Sequence, residues 1–188
     1  NDEIIVNYKG KEVKENSKEK VTSVKKGIFL SHSSNDSEIV NKFKEFILES
    51  GLGYKPSLIE FTSKEDYGIP GGISIPENLK NFLNNEMGLF IQFLTPNYEK
   101  SRVCLNEEGA AWCLLDNKSF IPIIVPPHTS ESISWIKNLN KGIELNNKES
   151  LSNIYQDRKE FFGNDINVTR LSGKIEEFTK YFDGTIKE

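Results

Sequence analysis

From Gly27 onward, short apolar runs alternate with stretches of helical periodicity. GIFLS, Gly27 to Ser31, is nearly continuous in apolar residues and ends in small polar ones, the pattern of a buried strand entering a turn. Asp36 or Ser37 can cap the helix that follows, whose apolar stripe is Ile39, Val40, Phe43, Phe46, Ile47 and Leu48. SLIEFTS, Ser57 to Ser63, reads as a second strand. In KEDYGIPGGISIPENL the residues Gly68, Pro70, Gly71, Gly72 and Pro76 make a long loop, and a helix from about Ser74 to Asn85 carries Leu79, Phe82 and Leu83. GLFIQFLTP, Gly88 to Pro96, is a third strand, SRVCLNEEGAAWC a helix, and FIPIIVPP, Phe120 to Pro127, a fourth strand. A short helix around Ser132 to Asn138, a minor strand GIEL (Gly142 to Leu145) and two amphipathic helices complete the pattern.

Apolar strands alternating with helices predict an α/β fold with a parallel sheet covered on both faces. Open sheets of this kind bind ligands beyond the carboxyl ends of their strands. The candidate site therefore draws on SHSSND, TSKEDYGIPGG, TPNYEKS and PPH. Residues 1–25 are polar and lysine-rich, with IIV at Ile4 to Val6 their one weak apolar run, and read as an N-terminal extension, either a tail or a short appended strand. Residues 26–188 then form the domain, with 146–188 a C-terminal helical extension. The chain starts at Asn1 rather than at Met, as a trimmed chain or a piece of a longer protein does.

Composition narrows the class. The 188 residues suit one domain, and 36% hydrophobic with 11% aromatic content is globular rather than disordered. A net charge of −4 argues against nucleic acid, whose backbone selects a basic stripe. No apolar run is long enough to span a membrane, and no signal peptide is visible. Cys104 and Cys113, roughly 13 Å apart along one helix and on opposite sides, cannot bridge. Reduced thiols suit the cytoplasm. No metal site is expected, since His32 and His128 stand alone and C-x-x-C does not occur.

The chemistry concentrates in two adjacent carboxylates, Glu107 and Glu108. On a helical wheel with Glu107 at zero, Leu114 falls at about −20°, Val103 at about −40°, Ala111 at about +40°, Cys104 at about +60° and Leu115 at about +80°. Glu107 thus lies at the centre of the apolar stripe, and Glu108, at about +100°, at its solvated margin. Trp112 and Leu105 fall together on the adjoining face as a packing pair. A buried acid can be a structural group satisfied by a cation or an amide. It can also be a carboxylate held where desolvation and aim are controlled. Its place past the third strand's carboxyl end favours the second reading, with the helix dipole supporting the ionised form. SHSSND fits both a phosphate-binding turn and ordinary capping. His32 has no acid-plus-nucleophile constellation, and KEDYGIPGGIS matches neither a P-loop nor a Rossmann fingerprint.

Together these segments resemble a Toll/interleukin receptor (TIR) domain of the bacterial kind. GIFLSHSSND resembles the family's opening strand and turn, and KEDYGIPGGISIPENLKNFLNN its BB loop and following helix. GLFIQFLTPNYEKSRVCLNEEGAAW resembles the third strand and the segment bearing the catalytic glutamate, and FIPIIVPP the next strand. The likeness covers roughly residues 25 to 145 in motif order. It departs at Val103, where many members carry an aromatic. The resemblance implies a flavodoxin-like three-layer sandwich around a central parallel sheet.

Three residues on from Cys104, the family's catalytic position falls on Glu107. Enzymatic members, the Thoeris-type antiphage proteins among them, cleave the nicotinamide–ribose bond of NAD+ to nicotinamide and ADP-ribose or a cyclic isomer. NAD+ is then substrate rather than cofactor, and one carboxylate suffices: it stabilises oxocarbenium character on the ribose while nicotinamide leaves neutral. By the same resemblance Phe29, Ser31, His32, Ser33 and Asp36 line the pocket floor. Asp66, Tyr67, Gly71 and Ile73 belong to the mobile loop over it, and Ser101 sits near the ribose. Partners implied are NAD+, further TIR copies in a homo-oligomer, and a downstream effector sensing a cyclic ADP-ribose product. The competing readings are a non-catalytic TIR adaptor acting by self-association and a nucleoside deoxyribosyltransferase-like enzyme. Glu108 is expected to be a helix-surface or interface charge.

Overall fold

A computed structural model describes residues 25–61, 77–129 and 142–185. Five strands, β1 (Gly27–Ser31), β2 (Ile59–Phe61), β3 (Met87–Leu94), β4 (Phe120–Ile124) and β5 (Ile143–Glu144), form one sheet in the order β2-β1-β3-β4-β5. Every pairing is parallel. This strand order is that of flavodoxin-like sheets, in which the connections leave β1 and β3 toward opposite faces and open a crevice between them. The expected α/β fold, with its central parallel sheet, is present.

Alternation along each strand sorts the core into two layers. Ile28, Leu30, Leu89, Ile91, Phe93, Ile121 and Ile123 face one side. There they meet α1 (Ser37–Phe43) and the wider π-type segment that continues it, Lys44–Gly51. Gly53, at φ 67°, ends this helix, and the Tyr54 amide reaches back six residues to the Leu48 carbonyl at 2.8 Å, one residue further than in a Schellman motif, in keeping with the wider π-type turn. The same layer holds α5 (Lys148–Gln156) and α7 (Val168–Thr185), with α6 (Lys159–Phe162) between them. Leu151, Ile154, Tyr155, Leu171, Ile175, Phe178 and Phe182 are buried in it, so α5 and α7 form one wall of the main core.

On the other side Phe29, Phe90, Leu94, Phe120 and Ile124 pack with Phe82, Leu83, Tyr98, Cys104 and Ala111. These last come from the α2 (Glu77–Asn81) continuation, α3 (Pro96–Lys100) and α4 (Arg102–Leu114). The helix α3 corrects the expected third strand, which stops at Leu94. Thr95 caps it by accepting the Tyr98 amide at 3.0 Å, and Pro96 supplies the first turn. The expected helix at 132–138 lies outside the described residues. None of the described helices is long and apolar enough to cross a membrane.

Candidate active site

The register of the two central strands sets the site. Ser31, at the carboxyl end of β1, is the direct partner of Gln92 on β3. By alternation both project to the layer of Phe29, Phe90 and Leu94, where every other inward position is apolar. α4 lies over this pair. Its buried residues are Cys104, Glu107, Glu108 and Ala111, a face centred at about +50° on the wheel rather than on Glu107. Val103 and Leu114, expected on the apolar stripe, are 51% and 45% exposed, and Leu105 and Trp112 on the adjoining face are 47% and 52% exposed. The helix is rotated because the sheet beneath offers polar partners for both carboxyl groups, which a wheel of apolar residues cannot register.

Glu107 is 5% exposed and accepts a hydrogen bond from the Ser31 hydroxyl at 2.7 Å on Oε2. The Tyr98 hydroxyl lies 3.1 Å from Ser31 Oγ and 3.1 Å from the Cys104 carbonyl. Since the single Ser31 proton goes to Glu107, the Tyr98 proton serves the serine oxygen or the carbonyl, and Ser31 is held in place from behind. Burial raises the Tyr98 phenol well above its ordinary range and the Cys104 thiol to about 11, so both stay protonated at neutral pH. Glu107 sits in the second turn of α4, beyond the reach of the helix dipole, so the dipole gives it little of the support expected from the sequence.

Glu108 departs most from expectation. It is 4% exposed and accepts from Gln92 Nε2 at 2.7 Å. Consecutive glutamates on one helix thus bind paired residues on adjacent strands. Desolvation pushes the Glu108 carboxyl up to about 7, against the opposing pull of the Gln92 hydrogen bond.

The turn after β1 supplies the remaining described candidates. His32 is 2% exposed, with Nδ1 3.2 Å from the Leu30 carbonyl. A carbonyl only accepts, so Nδ1 carries the proton and Nε2 is left as an acceptor, buried and without a partner among the described residues. Burial lowers the imidazole below its ordinary value and keeps it neutral at pH 7. Asp36 does not cap α1 with its side chain. Its carboxylate accepts from Thr95 Oγ1 at 2.5 Å and Asn97 Nδ2 at 2.8 Å, which ties the turn after β1 to the turn after β3.

Phe29 is fully buried, stacked on Phe90 with ring centres 5.7 Å apart, and so forms part of the layer beneath the site. Ser33 is 8% exposed at the start of a short 3-10 turn, Ser34–Asp36. Ser101 caps α4 by accepting the Cys104 amide at 3.3 Å. Asp66, Tyr67, Gly71 and Ile73 lie outside the described residues. Thr95, Asn97 and Tyr98 fall in the candidate segment TPNYEKS, but their individual roles could not be read from it. Sequence reasoning missed Gln92, whose signal is that it is the one polar residue inside the apolar run GLFIQFL.

The arrangement is a buried carboxylate, aimed by a hydroxyl, at the carboxyl end of the strands where the sheet's connections diverge. A neutral imidazole, His32, follows Ser31 in the chain with its ring 6.1 Å from that of Phe61, and the turns after β1 and β3 are cross-linked. The chain is 35% identical over 131 residues to Uncharacterized protein YddK of Bacillus subtilis (strain 168), an alignment covering 70% of this chain and 47% of that protein. The chain therefore spans about half the length of this curated relative. The sequence model described as TIR domain matches residues 28–153, from the start of β1 into α5. With the match spanning the sheet, both turns and α4, the chain belongs to the TIR domain family.

Proposed function

We propose that this TIR domain is an NAD+ hydrolase or cyclase that breaks the nicotinamide–ribose bond, with Glu107 as its catalytic residue. The observation that carries the reading is the buried Glu107 carboxylate, fixed by the Ser31 hydroxyl at 2.7 Å on the ligand edge of the sheet. A carboxylate so placed stabilises positive charge developing on a ribose ring as neutral nicotinamide departs. Attack by water gives ADP-ribose, and attack by an atom of the same nucleotide gives a cyclic isomer. The unpartnered Nε2 of neutral His32 is an acceptor suited to a ribose hydroxyl. NAD+ is consumed as substrate, and no further cofactor is required.

In this reading the protein acts in the bacterial cytoplasm in antiphage signalling. Further TIR copies assemble with it on activation, and a downstream effector senses the cyclic product. Nicotinamide release from NAD+ by the wild-type chain and by Glu107→Gln tests the reading, with mass analysis of the product separating linear from cyclic. Turnover lost in Glu107→Gln supports it. A wild-type chain that is inactive at high concentration and on a scaffold overturns it in favour of an adaptor role. Turnover of deoxynucleosides but not NAD+ favours the deoxyribosyltransferase-like alternative.

A further inference from the structure

Gln92 and Glu108 form a pair whose hydrogen bonding is incomplete if Glu108 is ionised. Gln92 is fully buried and donates its amide N–H to Glu108 Oε2 at 2.7 Å. The other end of the same amide, Oε1, is buried and has no partner among the described residues. A carboxylate only accepts, so it cannot serve that oxygen, whereas a carboxylic acid has a proton to give. Buried acceptors without partners are uncommon and call for a donor.

The surroundings favour the acid as well. The titratable groups around Glu108 are Glu107 and Cys104 on its own helix and Tyr98 and Glu99 on α3. Glu86, on the segment after α2, is exposed, and β1 and β3 carry no titratable side chain. The charge acting on Glu108 across space is Glu99, another acid. Burial shifts Glu108 in the same direction.

We infer that Glu108 is held as a neutral carboxylic acid in a two-bond ring with Gln92, that this ring sets the rotation of α4 and so positions Glu107 against Ser31, and that ionising Glu108 opens it. In the ring Gln92 Nε2–H donates to one carboxyl oxygen, and the carboxyl O–H donates to Gln92 Oε1. Ionisation removes the second bond and sets the new charge beside an unserved amide oxygen. Because Ser31 and Gln92 are register partners, the two glutamate contacts on neighbouring strands fix the helix about its own axis. Glu108 is therefore a positioning residue with a proton-dependent grip. Its effect on catalysis rests on the NAD+-cleaving reading; its protonation state does not.

The first measurement needs no substrate. In protein labelled with 13C at the glutamate carboxyl carbons, one resonance should titrate near pH 7 and be missing in Glu108→Gln. If the Glu108 signal instead titrates in the ordinary carboxylate range, the inference is overturned. The second measurement is kcat and KM against pH. Wild-type kcat should fall as pH rises through about 7, where burial places Glu108, with KM steady. Glu108→Gln, an amide that reproduces the ring with Gln92, should match the wild-type kcat reached well below pH 7 and lose this fall.

Gln92→Leu should lower kcat about 10- to 100-fold with KM held within about twofold, as misplacement of a catalytic group does. Gln92→Glu combined with Glu108→Gln should restore it by rebuilding the ring in reverse. An unrestored swap, or an alkaline fall that persists in Glu108→Gln, counts against positioning. If the resonance titrates near pH 7 but NAD+ is not turned over, the proposed function fails while the acid–amide pair stands.

Discussion

Ser31 and Gln92 are direct partners across β1 and β3, and the consecutive residues Glu107 and Glu108 each bind one of them, at 2.7 Å in both cases. Two neighbouring strands and two neighbouring helix residues thus form a four-residue frame at the ligand edge of the sheet. The two carboxyl groups are equally buried but differently served. Glu107 has a hydroxyl that aims it, and Glu108 has an amide that anchors it.

Ser31→Ala removes the donor to Glu107 without changing the volume of the site much. On the NAD+-cleaving reading, nicotinamide release should drop by about 10-fold or more through kcat, because the carboxylate loses the hydroxyl that aims it. The fold should survive, with a stability loss of about 1–3 kcal/mol, the cost of taking one donor from a buried acceptor. Steady-state kinetics with a thermal melt checks both halves. Unchanged kcat means that the Ser31 contact does not matter to catalysis.

Glu108 and His32 move stability in opposite directions with pH. The folded pKa of Glu108 is raised from 4.5 to about 7, so its contribution is fully present below about 4.5 and is lost as pH rises to about 7. The loss is on the order of 3 kcal/mol from this one group. His32 is lowered from 6.5, so its contribution is present above that value and is lost as pH falls below it. Denaturant melts from pH 4 to 8 should therefore show Glu108→Gln more stable than wild type at pH 8 and little different near pH 4. An equal gap at both ends contradicts the assignment.

Asp36→Ala unties the two turns that flank the site, because Thr95 Oγ1 and Asn97 Nδ2 both lose their acceptor. Stability should fall by about 1–3 kcal/mol, the cost of leaving part-buried donors unserved. On the NAD+-cleaving reading KM should rise more than kcat falls, since the turns shape the crevice rather than perform the chemistry. A kcat loss with KM unchanged instead places Asp36 at the reacting atoms.

Helix α7 lies beyond the TIR match, which ends at residue 153, yet Phe178 is fully buried against Phe43, with ring centres 6.0 Å apart and nearly perpendicular planes. Phe178→Ala should cost about 3–5 kcal/mol by opening a cavity in the main core. A chain cut before Val168 should lose its cooperative melt, because the α1 layer would face water. Retention of a cooperative transition in the cut chain shows that α7 is dispensable to the fold.

Much of the architecture could be read along the chain. The runs at Gly27, Gly88 and Phe120 became β1, β3 and β4, and the stripe from Ile39 to Leu48 became the helix against Phe93 and Phe178. Each is a local pattern of apolar residues at a single period. Thr95 and Pro96 ended β3 early, and this too was local, since a capping residue followed by proline announces a helix start. The site was less legible. Glu107 can be singled out because it interrupts an apolar stripe, but the wheel, which counts only apolar neighbours, puts Glu108 at the margin as a surface or interface charge.

The sequence by itself determined the parallel α/β plan, the edge of the sheet where a site can form, and the carboxylate doublet that stands there. Only the tertiary structure decided which side of α4 faces inward, and with it that both glutamates are buried. The reason is physical: the groups that settle the rotation of α4 come from other elements. Ser31 is 76 residues from Glu107, and Gln92 is 16 from Glu108. A helix surface with two polar side chains turns toward whatever hydrogen-bond partners the sheet presents, because burying a carboxyl group unserved costs more than leaving Val103 and Leu114 in water.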